Sequence, residues 1–213
     1  MAAPDDININ DLTGDWQMNK TLSNDVDPVL QMQEISWLLR RAIGFATITL
    51  HVTHYTSSDP QPDTVHIDIA QTASMGIKGT TENRTLDWAE RENTDHIFGK
   101  VRAKSRVVGL AGVDDDEGKD AFLKEGWLGA EAGEDGKEGG EGERGGVKVV
   151  EAWVRNLDKG WVARQVWGFA EVDGKRYHVR RVVVTKGEER LEVRLVYDFI
   201  KRKVGEVKEE EIG

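Results

Sequence analysis

Aromatic residues on predicted strand faces are the side chains of this sequence best suited to hold a small molecule. Seven tryptophans occur in 213 residues, and three of them, Trp88, Trp153 and Trp167, are predicted to point inward. Aromatic rings give a large contact area at a small cost in side-chain entropy, so these rings could line a cavity for a flat or polycyclic ligand. The alternative, that they fill a solid core, stays open from the sequence alone.

Polar side chains on otherwise apolar strand faces form the second candidate group. Gln165 interrupts one such face, and Arg181 interrupts another, which it shares with Tyr177. A buried arginine is costly without a partner, so an interior Arg181 needs a carboxylate, a ligand oxygen or water. If the alternation of that strand runs in the opposite phase, His178 and Arg180 are the interior pair instead.

The sequence carries no signature of the common catalytic or cofactor-binding sites. It has no cysteine, no nucleophile-elbow serine motif, no phosphate-binding loop and no dinucleotide-binding glycine motif after a strand. His51 and His54 are three residues apart on a predicted strand and therefore face opposite sides, and the other histidines are isolated. We therefore expect no metal site and no cofactor.

The elements that must position these residues are mostly strands. The run from Leu191 to Phe199 alternates between apolar and mainly polar residues, and several other segments show the same period of two. Nine or ten consecutive antiparallel strands favour a closed up-and-down β-barrel, because closure removes exposed edges. The predicted strands are 14–19, 46–55, 64–73, 79–88, 94–104, 147–156, 160–171, 176–185 and 190–200, with a short additional one near 106–111.

One segment between the first two strands is helical by pattern. Asp27 is a good N-cap, Pro28 suits the first helical position, and Gly44 follows the end. Apolar residues between them recur at spacings of three and four. We predict one helix or a kinked pair, which lays its apolar face over the open end of the barrel as a lid.

The negative charge of the chain is concentrated in one segment. The formal charge is −10, but residues 113–146 carry twelve acids and four bases, so the rest of the chain is close to neutral. We predict one barrel domain, 11–205, with a largely disordered, acidic and glycine-rich insertion at 113–146 and an acidic tail at 206–213. The insertion is either a tolerated loop or a partner-binding segment. The nearly neutral barrel is expected to accept an uncharged apolar molecule.

Charge and hydropathy also restrict location and partners. The acidic surplus argues against general binding to nucleic acid, and no run of apolar residues is long enough to span a membrane. The first ten residues lack the features of a secretory signal. We expect a cytoplasmic protein, monomeric, whose partner is a small hydrophobic molecule.

The order of a strand, a helical segment and then a strand meander resembles the calycin superfamily, and the fatty-acid-binding-protein pattern more than the secreted lipocalins. The residues that carry this resemblance are Gly14-Asp15-Trp16 in the first strand, the insert at 28–43 and the closing strand at 192–197. The stretches 80–88 and 176–184 are also similar to an uncharacterised group of fungal lipocalin-like proteins.

The last strand departs from the fatty-acid-binding pattern. Those proteins hold the ligand carboxylate with an arginine and a tyrosine two residues apart in the final strand, together with an arginine from a neighbouring strand. The nearest pair here, Arg194 and Tyr197, is three residues apart and so faces opposite sides. Tyr197 is expected inside and Arg194 outside, which weakens the case for a plain fatty-acid carrier.

Two functions follow from this pattern. The first is binding of a small hydrophobic ligand, such as a lipid, a terpenoid or an aromatic polyketide-like molecule, in a barrel cavity. The alternative is a lipocalin-like cyclase or isomerase that acts by fixing the reactive conformer and polarising a carbonyl. The predicted ligand-binding residues are Trp88, Trp153, Gln165, Trp167, Tyr177, Arg181 and Tyr197.

Overall fold

Ten antiparallel strands form one sheet that curls into a nearly closed barrel. The computed structural model describes residues 1–59, 61–113, 120–129 and 146–202. The order of strands around the barrel is β4-β3-β2-β1-β10-β9-β8-β7-β6-β5, as an up-and-down meander requires. The strands are β1 (Gly14–Met18), β2 (Ile48–Ser57), β3 (Thr64–Ala73), β4 (Thr80–Thr85), β5 (Arg91–Asp95), β6 (Gly99–Gly109), β7 (Lys148–Asn156), β8 (Val162–Val172), β9 (Lys175–Lys186) and β10 (Glu189–Lys201).

The barrel is not closed by a full ladder, because β4 and β5 at the two ends of the sheet are not paired. Beyond the end of β4, an isolated bridge joins Asp87 to Arg106 of β6, and the Trp88 amide donates a hydrogen bond to the Ser105 carbonyl. These contacts seal one end of the seam between β4 and β6. The rest of the seam is a lateral gap between β4 and β5.

The predicted strand at 94–104 is instead the end of β5, a turn and the start of β6. The Asp95 carboxylate accepts hydrogen bonds from the amides of Ile97 and Phe98, at 2.7 and 2.9 Å. Gly99 follows with a φ of +78°, a backbone conformation that glycine adopts without strain. The strand predicted near 106–111 is the second half of β6.

The helical insert is a kinked pair rather than one helix. It consists of α1 (Asp27–Met32) and α2 (Trp37–Phe45), separated by a turn in which Glu34 has a φ of +59°. Val29 and Met32 are buried against inner residues of β9 and β10, so α1 covers one end of the barrel as predicted. No residue of α2 is fully buried, and this helix leaves Trp37, Leu38 and Phe45 exposed.

A third helix, α3 (Ala121–Lys124), lies outside the barrel wall. No helix in the described ranges is long and apolar enough to cross a membrane. The limits of the barrel domain, 11–205, stay a prediction. Much of the predicted insertion at 113–146 and all of the tail at 206–213 lie outside the described residues.

Inner and outer faces are distinguished by what their residues contact. One buried cluster joins strands from opposite walls, from Ile67 of β3 through Trp16 of β1 to Trp167 of β8, so these side chains point into the barrel. A second cluster joins residues of the neighbouring strands β7 to β10, such as Val149 and Val179, with Val113, with Leu123 of α3 and with Trp127 of the segment beyond α3. That second cluster is therefore on the outer wall.

Residues 120–128, which we call the strap, cover this outer wall. Asp120 is 1% exposed and forms ion pairs with Arg164 of β8 and Arg190 of β10. Trp127 is buried against Gly168 of β8, whose missing side chain leaves room for the ring. The strap packs against apolar residues on the outer wall, such as Val149, Val166 and Val179.

The N-terminal segment closes the end of the barrel opposite α1. Ile7 and Leu12 are each 2% exposed and belong to the inner cluster. The guanidinium of Arg176 donates hydrogen bonds to the carbonyls of Pro4 and Ile7, at 2.6 and 2.7 Å. We call this N-terminal segment, residues 1–12, the plug. Trp16 lies above it, and its indole N–H donates to the Leu12 carbonyl at 3.0 Å.

Candidate functional site

A cavity of about 790 Å³ occupies the barrel between β4, β5 and β6 on one side and β7 and β8 on the other. Its apolar wall comes mainly from β6, β7 and β8 and from the turn before β6. The apolar lining residues are Ala89, Phe98, Val101, Ala103, Val154, Trp161 and Ala163. Residues from both faces of β4 line the cavity, including Thr80 and Thr81, so it reaches the exterior through the lateral gap.

The floor of the cavity is polar, and we call this group of side chains the polar layer. Four of its members line the cavity itself, and two lie against them deeper in the barrel. The polar layer consists of Glu82, Arg84, Ser105, Gln165, Trp167 and Arg180.

Arg84 is fixed by two partners. Its Nε and Nη2 both donate to Glu82 Oε2, at 3.0 and 2.7 Å, and its Nη1 donates to the Ser105 hydroxyl at 3.1 Å. Burial raises the pKa of Glu82, but the nearby charges of Arg84 and Arg180 outweigh it, so the pKa is below its usual range. Glu82 is therefore an anion, and its one negative charge stands beside two guanidinium groups.

Gln165 presents hydrogen-bond donors to the cavity because Trp167 fixes its amide. The Trp167 indole N–H donates to Gln165 Oε1 at 3.0 Å. Since an indole nitrogen can only donate, the amide oxygen must face Trp167 and the amide NH₂ must point away from it. Within the described part of the chain, that NH₂ group has no hydrogen-bond acceptor, so its two N–H donors remain for a ligand.

Arg180 of β9 stacks on the same tryptophan. Its guanidinium carbon lies 3.8 Å from the centre of the Trp167 ring and 5.4 Å from that of Tyr197, and the guanidinium of Arg84 lies 4.8 Å from Trp167. Arg180 is 5% exposed, and its Nε is buried without a partner. None of the described residues accepts a hydrogen bond from this guanidinium.

His178 lies below the polar layer in an aromatic box. Its ring is 5.2 Å from Trp16, 5.8 Å from Phe169 and 5.5 Å from Tyr197, measured between ring centres. Burial, helped by the charge of Arg180, lowers its pKa to about 3, so the imidazole is neutral near pH 7. The proton is on Nδ1, which donates to the Gly168 carbonyl at 3.1 Å.

Three of the predicted ligand-binding residues, Gln165, Trp167 and Tyr197, lie on inner faces. Gln165 lines the cavity and Trp167 is its hydrogen-bond partner. The phenol of Tyr197 is buried beside Arg180, and burial raises its pKa, so the hydroxyl is protonated. As predicted, Arg194 faces outward, where its guanidinium donates to the Leu22 carbonyl.

Trp88 and Trp153 do not point inward, and the prediction of their facing is wrong. β4 ends at Thr85, and Trp88 follows with a φ of +61°, which breaks the alternation. Its ring stacks against Lys104 and Arg106 on the outer face of β6. Trp153 is also outside, near Lys104, because its neighbours Ala152 and Val154 fill the inner face of β7.

Tyr177 and Arg181 are on the outer face of β9, so the inward facing predicted for them is also wrong. Tyr177 belongs to the outer cluster under the strap. The guanidinium of Arg181 donates to Glu125 of the strap at 2.7 Å and stacks on Phe122. Their inner counterparts are His178 and Arg180, the alternative that the sequence left open.

Glu82, Arg84 and Ser105 belong to the site but were not singled out from the sequence. The usable signal is alternation, because Thr80, Glu82 and Arg84 pair across the ladder with inward residues of β3 such as Ile69. Polar residues at every second position opposite an apolar face indicate a polar interior layer.

The strand meander, the helical insert after β1 and the polar floor of an internal cavity define a barrel of the calycin fold. Apo lipid binding protein 8 of Caenorhabditis elegans superposes on it with a TM-score of 0.51 at 11% identity, covering 92% of this chain and 99% of that one. That likeness concerns the fold alone.

Two curated fungal proteins are similar to the chain along nearly its whole length. The "Probable pericyclase scpY" of Mollisia scopiformis is 31% identical over 199 residues, which is 93% of this chain and 95% of that protein. The "Pericyclase pydY" of an Acremonium species is 29% identical over 205 residues, covering 96% and 100%. No family model matches the sequence. The chain belongs to the same family as these fungal proteins.

Proposed function

We propose that this protein binds a small, largely hydrophobic polyene in its cavity and catalyses an intramolecular pericyclic reaction of that ligand. The observation that carries the proposal is the position of the Gln165 amide donors on the floor of a cavity whose wall along β6, β7 and β8 is mainly apolar. The full-length similarity to two proteins named as pericyclases supports it. A cytoplasmic location is part of the proposal, since a chain without cysteine needs no oxidising compartment.

Such a reaction requires few catalytic groups from the protein. In an intramolecular cycloaddition, π bonds of one molecule become new σ bonds, and no atom, proton or electron enters or leaves. The barrier falls when the flexible polyene is held in its reactive conformer, which the apolar wall does by shape. A donor aimed at a carbonyl conjugated to the reacting double bond polarises it further, and Gln165 has the donors for this role.

Simple binding without chemistry is the second candidate, because the same cavity and apolar wall serve a carrier equally well. The two candidates differ in whether the ligand leaves unchanged. A test must therefore follow the fate of the ligand and not only its affinity.

The experiment starts with deletion of the gene in the source organism. We expect the deletion strain to accumulate a linear polyene, or a mixture of its cyclised isomers, in place of one stereoisomer. Purified protein added to the isolated polyene should then restore that single isomer. Unchanged metabolites in the deletion strain, together with no enrichment of any isomer in vitro, would leave binding as the function.

The variant Gln165→Leu tests the assigned donor. Loss of a hydrogen bond to a developing charge costs tenfold or more in rate, and we expect a fall of about 10- to 100-fold in isomer formation. Gln17→Leu is the matched control, since Gln17 alternates with the inward Trp16 and so lies on the outer face of β1. Equal rates for the two variants would exclude Gln165 from the chemistry.

A further inference from the structure

One end of the seam between β4 and β6 is closed by residues 86–91, which run from the end of β4 to the first residue of β5 and which we call the latch. The Trp88 amide donates a hydrogen bond of 2.9 Å to the Ser105 carbonyl on β6. The hydroxyl of Ser105 accepts a hydrogen bond from Arg84 in the polar layer. Ser105 therefore joins the latch to the floor of the cavity.

The latch also forms part of the cavity wall and is braced internally. Ala89 and Arg91 line the cavity. Both Nη atoms of Arg91 donate to the carboxylate of Asp87, at 2.7 and 2.6 Å. Because this bidentate pair spans the latch, the latch moves as one unit, and its displacement from β6 widens the lateral gap.

The side chain of Trp88 holds the latch against the outer face of β6. The ring centre is 4.3 Å from the Lys104 ammonium and 4.2 Å from the guanidinium carbon of Arg106. A cation above an aromatic face is attracted to it, but the attraction is weak where water still reaches the pair. The bridge between Asp87 and Arg106 adds one residue pair, whereas β6 pairs with β7 through nine. The latch is therefore joined to β6 more weakly than β7 is.

Backbone strain also favours opening of the latch. Trp88 has a φ of +61°, in the left-handed region that a bulky residue adopts only at a cost. Such a conformation persists where neighbouring contacts hold it, and separation from β6 frees Trp88 to leave it. A segment that a few contacts hold against strain opens more readily than a fully paired strand.

The proposed reaction changes the shape of the ligand, and this change gives the latch a role. A linear polyene is narrow and passes a slot end first, whereas the cyclised product is a compact, rigid ring system that needs a wider opening. We propose that the latch opens to let ring systems pass and that Trp88 sets the rate of opening. Product release then depends on the latch, as it depends on lid opening in many enzymes, and substrate entry does not. This gate rests on the proposed function and adds a residue that controls it.

Two uncharged fluorescent probes represent the two shapes. Diphenylhexatriene is a linear polyene, and perylene is a flat, fused polycycle. Stopped-flow fluorescence gives the association and dissociation rates of both. The chain has no cysteine, so Asp87→Cys combined with Arg106→Cys forms a single disulfide on oxidation. Directly opposed residues of an antiparallel bridge are close enough for that bond.

Oxidation of this double variant should slow association and dissociation of perylene roughly tenfold or more and change those of the linear probe by less than about twofold. Because a gate changes the barrier and not the bound state, the affinity for perylene should stay within about twofold. Reduction should restore the rates. Tyr55→Cys with His66→Cys is the matched control, since this opposed pair lies inside the continuous β2–β3 ladder and its disulfide should affect neither probe.

Removal of the ring tests Trp88 itself. Trp88→Ala keeps a Cβ atom and with it the backbone strain, and should speed perylene release about fivefold or more. Trp153→Ala removes another outer-face tryptophan near Lys104, outside the latch, and should leave the rate unchanged. Urea unfolding shows whether each variant is folded. If Trp88→Ala does not fold, the disulfide still decides, because its two states are compared in one folded protein.

The outcomes separate the gate from the catalysis, because probe exchange does not require a reaction. Oxidation that leaves perylene release unchanged, or that slows both probes alike, overturns the gate and leaves the catalysis standing. A shape-dependent effect of the disulfide, together with unchanged metabolites in the deletion strain, would refute the catalysis and keep the gate. If neither probe binds, the ligand cavity and its gate are both refuted.

Discussion

His178 is a buried base that the fold holds neutral, and this state couples stability to pH. Its folded pKa of about 3 lies well below the usual value near 6.5. Below about pH 6.5 the unfolded chain takes up a proton at this residue and the folded chain does not, so acid favours unfolding. His178 therefore does not lower the free energy of unfolding above about pH 6.5, and it lowers it progressively as the pH falls toward 3.

We therefore predict that His178→Phe flattens the acid side of the stability profile. Between pH 6 and 4 the free energy of unfolding of the unaltered protein should fall more steeply than that of the variant, by about 1.4 kcal/mol per pH unit. Urea unfolding at several pH values measures both slopes. His96→Gln, at an exposed ring, is the control variant. Identical slopes for His178→Phe and the unaltered protein would show that His178 is protonated in the fold.

The facing of individual residues was predictable where a charged residue marks the outer face of their strand. β8 carries Arg164 on one side and Trp167 on the other, so the inward facing of Gln165 followed from alternation alone. The facing of Tyr197 followed in the same way, because Arg194 marks the wet side of β10. Glu82 and Arg84 were not predicted as site residues, because charged residues in strands normally face solvent.

At the level of elements, the strap explains why the facings predicted for Tyr177 and Arg181 were wrong. β9 is buried on both sides, because its inner side faces the barrel and its outer side faces the strap. Alternation carries no information when both faces are buried. Most of the strands, the helical insert after β1 and the meander order were predictable. The turn between β5 and β6 was not, and the phase of β9 required knowledge of a contact distant in sequence.

The close contact between the strap and β8 yields a second prediction. A Cβ atom at Gly168 would lie 2.8 and 3.0 Å from two ring carbons of Trp127, so Gly168→Ala must displace the ring. We expect the free energy of unfolding to fall by about 1–3 kcal/mol and protease cleavage within 120–128 to accelerate.

Gly44→Ala is the matched control for this substitution. Gly44 lies in α2, and no atom of the described residues beyond its own helix lies within 4 Å of its Cβ position, so alanine there should be neutral or stabilising by up to about 1 kcal/mol. Urea unfolding and limited proteolysis compare the two variants. If Gly168→Ala matched Gly44→Ala in both measurements, the strap would not be held against β8 in solution.

At the level of the whole molecule, the N-terminal plug contributes to the core although it precedes every strand. Deletion of residues 1–10 removes Ile7 and Ile9 from the inner cluster and takes two acceptors from Arg176. Burial of two isoleucine side chains is worth about 3–6 kcal/mol, which is the loss in unfolding free energy that we predict.

Urea unfolding measures that loss, and hydrogen exchange at residues 14–18 should report the opening of this end of the barrel. Asp6→Ala is the control, because the exposed pair of Asp6 and Arg202 is worth less than about 1 kcal/mol. A truncated protein as stable as the full chain would mean that the plug lies on the barrel without supporting it.

The lateral gap between β4 and β5 has a kinetic consequence. The plug fills one end of the barrel and α1 covers the other, so within the described residues the gap is the passage to the cavity. Substrate and product then use the same route, and a new molecule cannot bind until the previous one has left. If the protein is the catalyst that we propose, its product should act as a competitive inhibitor, and turnover should slow as product accumulates.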